Sequence, residues 1–304
     1  MITRIPTRGP FSLRELALFG FGHRGESDFD GVMRLAFCVD GGYERQVGVA
    51  VEQDGDELVI TVADGTPAAE GPDLDVVVRQ VARVLSVDHD GDAFAELGRR
   101  DAVIGRLQAA APGLRPPEFY SPYEAAVWSI ISARRPRAQG RRLRELLNAA
   151  AGSTFEVAGR ATSAVPTPSA LARVTSVPGL PPDRMPRLHA VAEAASSGLL
   201  EVDRLVAMEP SEAMAELQRI PGIGPFYSSL IVIRACGLAD LLPAGEQGIR
   251  ALVRVLYDLD TDLDEAAFEV FAERWRPFRT WAAVLVRAAA SRVLPPEEMP
   301  RLRG

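Results

Sequence analysis

The chain has 304 residues, 47% of them hydrophobic and 25% charged, enough apolar material for two packed units and far from the composition of a disordered chain. A formal net charge of -7 excludes a protein coated in basic surface, so any hold on a polyanion must come from a local patch. All 34 basic residues are arginine, so no side-chain amine is present to form a Schiff base with a sugar.

No apolar run approaches membrane-spanning length, and the first residues lack the basic, apolar and small-residue succession of a signal peptide, so a cytoplasmic protein with no membrane partner is expected. Cys38 and Cys236 are too few for an iron–sulfur cluster or a Cys₄ zinc site and read as buried thiols. His23, His89 and His189 fall at no metal-binding spacing, so no cofactor is expected.

The first third alternates. Val32–Val39, Val47–Val51 and Leu58–Val62 read as strands of an antiparallel sheet, with Gly41-Gly42 and Asp54-Gly55-Asp56 as turns. Val77, Val78, Val81, Val84 and Leu85 recur at helical spacing and predict a helix over 74–85 that covers one sheet face. Further helix is expected over 88–107, and Pro112-Gly113-Leu114-Arg115-Pro116-Pro117 marks a boundary. Residues 1–112 thus read as an α+β domain and 113–304 as a helical one.

The helix starting near Pro122 is apolar at Ala125, Ala126, Trp128, Ile130 and Ile131, and its continuation is basic: Arg134, Arg135, Arg137, Arg141, Arg142 and Arg144. Pro136 should break it. A turn at Val177-Pro178-Gly179-Leu180-Pro181-Pro182 precedes another helix. Two apolar helical runs, from Val202 to Leu217 and from Ser228 to Leu238, then flank Arg219-Ile220-Pro221-Gly222-Ile223-Gly224-Pro225-Phe226. Pro221 cannot extend a helix interior, and Gly222 and Gly224 can take positive φ and have no Cβ to hold a ligand away. The second helix should therefore begin with bare amide N–H groups, which together with the helix dipole suit a phosphate diester. A corner that only packs is the other reading of this turn.

Downstream come Asp240-Leu241-Leu242-Pro243-Ala244-Gly245-Glu246-Gln247-Gly248-Ile249-Arg250 and Trp275-Arg276-Pro277-Phe278-Arg279. The hairpin, the Pro-Ala-Gly-acid loop and the Trp-Arg-Pro-Phe-Arg run, in this order, together with Ser121–Pro136, resemble the helix-hairpin-helix DNA glycosylase superfamily, most closely its 3-methyladenine DNA glycosylase II branch. The resemblance spans nearly the whole chain. It implies an α+β fold, with an N-terminal antiparallel sheet and covering helix followed by a two-lobed all-helical domain carrying the hairpin, and a monomer acting on double-stranded DNA.

The resemblance implies base excision by nucleotide flipping and carboxylate-assisted hydrolysis, without a lysine Schiff base. Glu246 stands where the family has its catalytic aspartate and is the candidate to face the oxocarbenium-like sugar; the alternative role for this acid is to cap the helix beginning near Gln247. Asp240 matches the family's non-catalytic loop aspartate. Pro221, Gly222, Ile223 and Gly224 would grip the DNA backbone, the Ile220 and Ile223 carbonyls being the place where a cation could sit. Arg134, Arg135 and Arg137 would meet DNA, Ser132, Ala133 and Arg134 standing where the family has glycine and glutamine. Phe226, Leu230, Arg287 and Trp128 would line the base pocket. Alkylated purines are the implied substrate, although Arg287 turned inward would repel a cationic one. A relative that binds DNA but has lost excision is the alternative reading.

Overall fold

The fold is that of a computed structural model, which describes residues 1–22, 24, 28–63, 74–243, 245 and 247–300. The N-terminal part is an antiparallel sheet built from β1 (Ile2–Pro6), β2 (Val32–Cys38), β3 (Gln46–Asp54) and β4 (Glu57–Val62) in the order β1-β4-β3-β2. Leu35 pairs with Val49 and Val51 with Ile60, which sends the large aliphatic side chains to one face. There α1 (Leu13–Phe19) and α2 (Leu74–Val84) bury Leu13, Leu16, Val77, Val81 and Val84 against them.

The three strands and the covering helix read from periodicity are present, within a few residues of the predicted bounds. The edge strand β1 and helix α1 are additions. Helix α1 is set by Ser12, whose side chain accepts the Glu15 amide, within a stretch whose hydrophobic spacing reads as alternation.

The predicted helix over 88–107 is two, α3 (Gly91–Arg100) and α4 (Ala102–Ala110). Asp101 divides them by accepting the Val103 and Ile104 amides, an alternative to continuing the helical ladder. Then follow α5 (Pro122–Ser132) and α6 (Arg137–Ala151), split at Pro136 as the proline requires. A short hairpin, β5 (Thr154–Val157) and β6 (Arg160–Ser163), interrupts the helical part, turning at Ala158-Gly159, both in the left-handed region. Its Phe155 and Val157 pack on the opposite sheet face, where β2 and β3 present the small residues Ala36 and Ala50.

The remaining helices are α7 (Pro168–Leu171), α8 (Met185–Ser196), α9 (Val202–Val206), α10 (Pro210–Leu217), α11 (Pro225–Ala235), α12 (Gln247–Leu256), α13 (Glu265–Ala272) and α14 (Arg279–Val293). The run expected as one helix from Val202 to Leu217 breaks before Pro210, and the helix expected from Ser228 starts at Pro225; in both a proline occupies the first helical position, where its missing N–H costs nothing.

Two cores form the helical part. One joins α5, α6, α8, α10 and α11 through Ile130, Leu143, Leu188, Leu217 and Ile231. The other joins α12 and α14 to α3 and α4, so that Phe94, Leu97, Ile104 and Leu107, from before residue 112, pack with Trp275 and Trp281. The two lobes meet along a groove. Among the described residues no helix is long and apolar enough to cross a membrane. Cys38 and Cys236 are buried thiols, and burial pushes Cys236 up to about 12, so neither is a reactive thiolate.

Candidate nucleic-acid interface and base cavity

Helices α10 and α11 meet at Pro221–Gly224. Ile220 and Ile223 are buried in the core and anchor the turn from below, and the Ile223 amide donates to the Ile220 carbonyl at 3.0 Å. Gln218 donates to the Ser228 hydroxyl, which donates to the Pro225 carbonyl, so the end of α10 is tied to the first turn of α11. Gly222 sits at φ +96°, and a Cβ there would lie 2.8 Å from the Ile130 Cδ1 and 2.9 Å from the Arg187 Cδ; only glycine makes this corner without strain.

Gly224 differs. Its backbone is extended, and no described atom stands within 4 Å of where its Cβ would be. It is the N-cap of α11 but offers no side chain, and the amides of Phe226 and Tyr227 precede the first intrahelical bond, from the Ser228 amide to the Gly224 carbonyl. The result is a helix N-terminus with donors, positive partial charge and empty space before it.

Arginines surround this corner. Arg134 is exposed in the break between α5 and α6, itself at φ +59°. Arg184 and Arg187, at the start of α8, reach the same place: Arg184 donates to the Ile130 carbonyl at 3.2 Å, and Arg187 lies against Gly222. Burial and then the neighbouring Arg187, Arg135 and Arg134 hold the Arg184 guanidinium below the usual arginine range, the mark of like charges crowded together. Asp183, 3.2 Å from Arg187 and 3.8 Å from Arg184, opposes them. Sequence reading passed over Arg184 and Arg187; their spacing of three, one helical turn, at a helix start was the available signal.

The arginine run itself disperses. Arg144 turns inward to Glu124, whose other oxygen accepts the Cys38 amide, fastening the helical part to the sheet. Arg142 pairs with Glu145 at the surface. Arg135 donates to the Ile131 and Ala133 carbonyls, while Arg137 donates to the Gly22 carbonyl at 2.8 Å and also to that of Arg24.

One turn past Gly224, the groove between the lobes deepens into a cavity of about 440 Å³. Trp128, Phe226, Leu230 and Arg287, the four residues assigned to a base pocket from sequence, all line it, as do Arg135 and Arg137. Trp128 is buried in the wall, and Phe226 is 48% exposed at the mouth, its ring edge-on to Tyr227. The N-terminal part contributes Phe19, Gly20, Phe21 and Gly22, which the sequence did not single out. Behind Phe21, Arg234 lies 3.8 Å over the ring and pairs with buried Glu118 at 2.8 Å. Burial outweighs that partner and pushes Glu118 up to about 7.

Pro243 and Ile249, on either side of the acid-bearing turn, line the cavity from α12 and the loop before it. Glu246 itself, like His23, lies outside the described residues. Asp240 is tied into the scaffold: it accepts from Arg276 at 2.7 Å and from the Arg279 side chain at 2.9 Å and amide at 3.2 Å. His89 and His189 bond to the Gly237 and Val174 carbonyls. No group of three metal-ligating side chains occurs among the described residues.

An open hairpin corner and a cavity between two lobes, joined by one helix, can be set beside known proteins. No family model matches the chain. The probable bifunctional transcriptional activator/DNA repair enzyme AlkA of Mycobacterium tuberculosis is 24% identical over 292 residues, 92% of this chain and 55% of that protein. The 3-methyladenine DNA-glycosylase of Archaeoglobus fulgidus superposes with a TM-score of 0.73 at 21% identity, covering 94% of this chain and 96% of the other. MBOgg1, solved with a low-affinity DNA ligand, also gives 0.73, at 20% identity and 96% coverage of both chains. The chain shares its fold with helix-hairpin-helix DNA glycosylases and is similar to them in sequence. Its sequence relatives are of the 3-methyladenine branch, as the hairpin and loop motifs imply. The chain spans about half the length of the curated relatives that it matches over most of its own.

Proposed function

We propose that the protein is a monofunctional DNA N-glycosylase of base-excision repair, which turns a modified base out of the duplex into the interlobe cavity and hydrolyses its bond to the sugar. One observation carries this reading: α11 begins at the open Gly224 corner and then lines the cavity with Phe226, Tyr227, Leu230 and Arg234. From Gly224 to Leu230 the helix rises about 9 Å, so a phosphate held at the corner lies within a nucleotide's reach of the cavity.

Flipping exposes a glycosidic bond that the stack otherwise hides, and modified or mispaired bases cost less to unstack. Pro221–Gly224 and Arg134 would position the backbone without reading sequence. The Ile220 and Ile223 carbonyls are where a bound cation would contribute. Cleavage leaves positive charge on the sugar, which a carboxylate stabilises; Glu246 has this role in our reading, one methylene longer than the aspartate of the resembled family. With no lysine in the chain, water rather than a side-chain amine takes the sugar carbon. The names of the relatives point to damaged purines, alkylated ones first.

The test is release of free base from methylated duplex DNA by the purified protein. Glu246→Gln is expected to lower release by at least about a hundredfold while duplex binding persists. Unchanged release in that variant moves catalysis to another acid. Binding to lesion-bearing duplex without release by the wild type would make this a DNA-binding relative that has lost excision, a reading that Glu246, Ser132 and Ala133 favour.

A further inference from the structure

Helix α14 has two tasks at the site. Thr280, Ala283, Val284 and Arg287, three or four apart, share one of its faces and wall the cavity. Its first turn also holds the segment that leads to Glu246. The buried Thr280 hydroxyl accepts the Leu241 amide at 3.0 Å and stands within donating distance of the Leu238 and Leu241 carbonyls, at 2.7 and 2.6 Å. The Thr280 amide donates to the Ala239 carbonyl at 2.9 Å. The Asp240 carboxylate accepts the Arg279 amide, two side-chain N–H groups of Arg279 and one of Arg276, a donor for each of its four acceptor positions. Every residue from 238 to 241 is thus bonded to Arg279 or Thr280. Pro243 then enters the cavity wall, and α12 begins at Gln247, with Ile249 in that wall and Leu252 and Val253 in the core shared with α14. Residues 242–246 are all that lies between the two attachments.

Given the glycosylase reading above, on which this step rests, we propose that Thr280 is a positioning residue: its hydroxyl, with the Asp240 carboxylate, fixes the acid-bearing segment to the helix that walls the base cavity, so that acid and base keep one separation. A displacement of about 1 Å at a reacting centre costs on the order of a hundredfold in rate, and a short segment attached at both ends passes a shift at one end to its middle. The hydroxyl is suited to this task because it serves as donor and acceptor to one stretch of backbone. An apolar side chain of the same shape would leave the Leu241 amide and both carbonyls short of a partner in a buried place. Asp240 has no acceptor position left for chemistry; it is part of the attachment.

The experiment is a double-mutant cycle on single-turnover release of 7-methylguanine from methylated duplex, with enzyme in excess. Thr280→Val keeps the shape and removes the hydroxyl. It is expected to lower the rate at saturation at least about tenfold, while affinity for a duplex with a tetrahydrofuran abasic analogue stays within about twofold. Thr280→Ser should bring the rate back to within about threefold of wild type. In a Glu246→Gln background Thr280→Val should change the residual rate by less than about twofold, because the acid it positions is gone. Asp240→Asn, which weakens the bonds from Arg276 and Arg279, should show the same pattern with a several-fold loss, and carries the test if Thr280→Val does not fold. A wild-type rate in these variants overturns the proposal, as does an equal loss in both backgrounds, which would make the attachment a support of the fold at large. Amide exchange over residues 239–246, read by mass spectrometry, separates the proposal from the reading beneath it. Faster exchange in Thr280→Val than in Thr280→Ser, in a protein that releases no base, supports the attachment and removes the glycosylase. Exchange unchanged by Thr280→Val and Asp240→Asn overturns the attachment and leaves the glycosylase to stand on base release by the wild type.

Discussion

Two helices of this molecule start just past a proline-containing turn, and their N-termini are treated in opposite ways. At α14 the turn Arg276-Pro277-Phe278 is closed: the Asp240 carboxylate accepts the Arg279 amide, the Ala239 carbonyl accepts the Thr280 amide, and Trp275 and Trp281 are buried beside it. Trp275 donates to the Tyr257 hydroxyl at 3.0 Å, which donates to Asp101 at 2.8 Å. At α11 no side chain among the described residues caps the helix, and no described atom stands within 4 Å of a Cβ built at Gly224. A carboxylate supplied by the protein makes the first corner a support; its omission at the second leaves donors for an anion from outside.

The largest break in this comparison is Trp275→Ala, which empties the closed corner. A stability loss of about 3–5 kcal/mol is expected in denaturant unfolding, with duplex affinity per folded molecule unchanged. Next comes Glu118, buried under the cavity wall beside Arg234 and pushed up to about 7. Its folded state binds a proton more readily than its unfolded one. Its contribution is therefore complete below the usual carboxylate range near pH 4.5 and is lost as pH rises to 7. Wild type should lose stability relative to Glu118→Gln across that window by on the order of 2 kcal/mol and run parallel to it above pH 7, as unfolding midpoints against pH would read.

Gly222→Ala should cost about 1–2 kcal/mol, since alanine at that φ is strained and its Cβ meets Ile130. The smallest stability effect sharpens the comparison most. Gly224→Asp gives α11 the carboxylate that α14 already has, in an extended backbone with room for it. Stability should hold or rise by a few tenths of a kcal/mol, while duplex affinity falls about tenfold or more because the acid takes the donors and repels phosphate. A loss of stability with unchanged binding would show that the open corner is only a packing feature.

The hairpin was legible in the sequence because proline and glycine impose their geometry locally. The strands β2, β3 and β4 and the helix α2 were legible because burial on one face imposes a period. The cavity wall of Trp128, Phe226, Leu230 and Arg287 was reached only through the resemblance, and the structure brings those four together. What no local pattern held was the direction of the charges. Six arginines in one run look alike in sequence, yet Arg144 turns to Glu124, Arg134 stays at the hairpin side and Arg135 and Arg137 face the cavity, because Pro136 breaks the helix and resets its phase. Arg184, Arg187 and the segment from Phe19, the last residue of α1, to Gly22 join the site from segments far apart in the chain. Backbone requirements are written at single positions; a field and a cavity are sums over residues that only folding brings within range of one another.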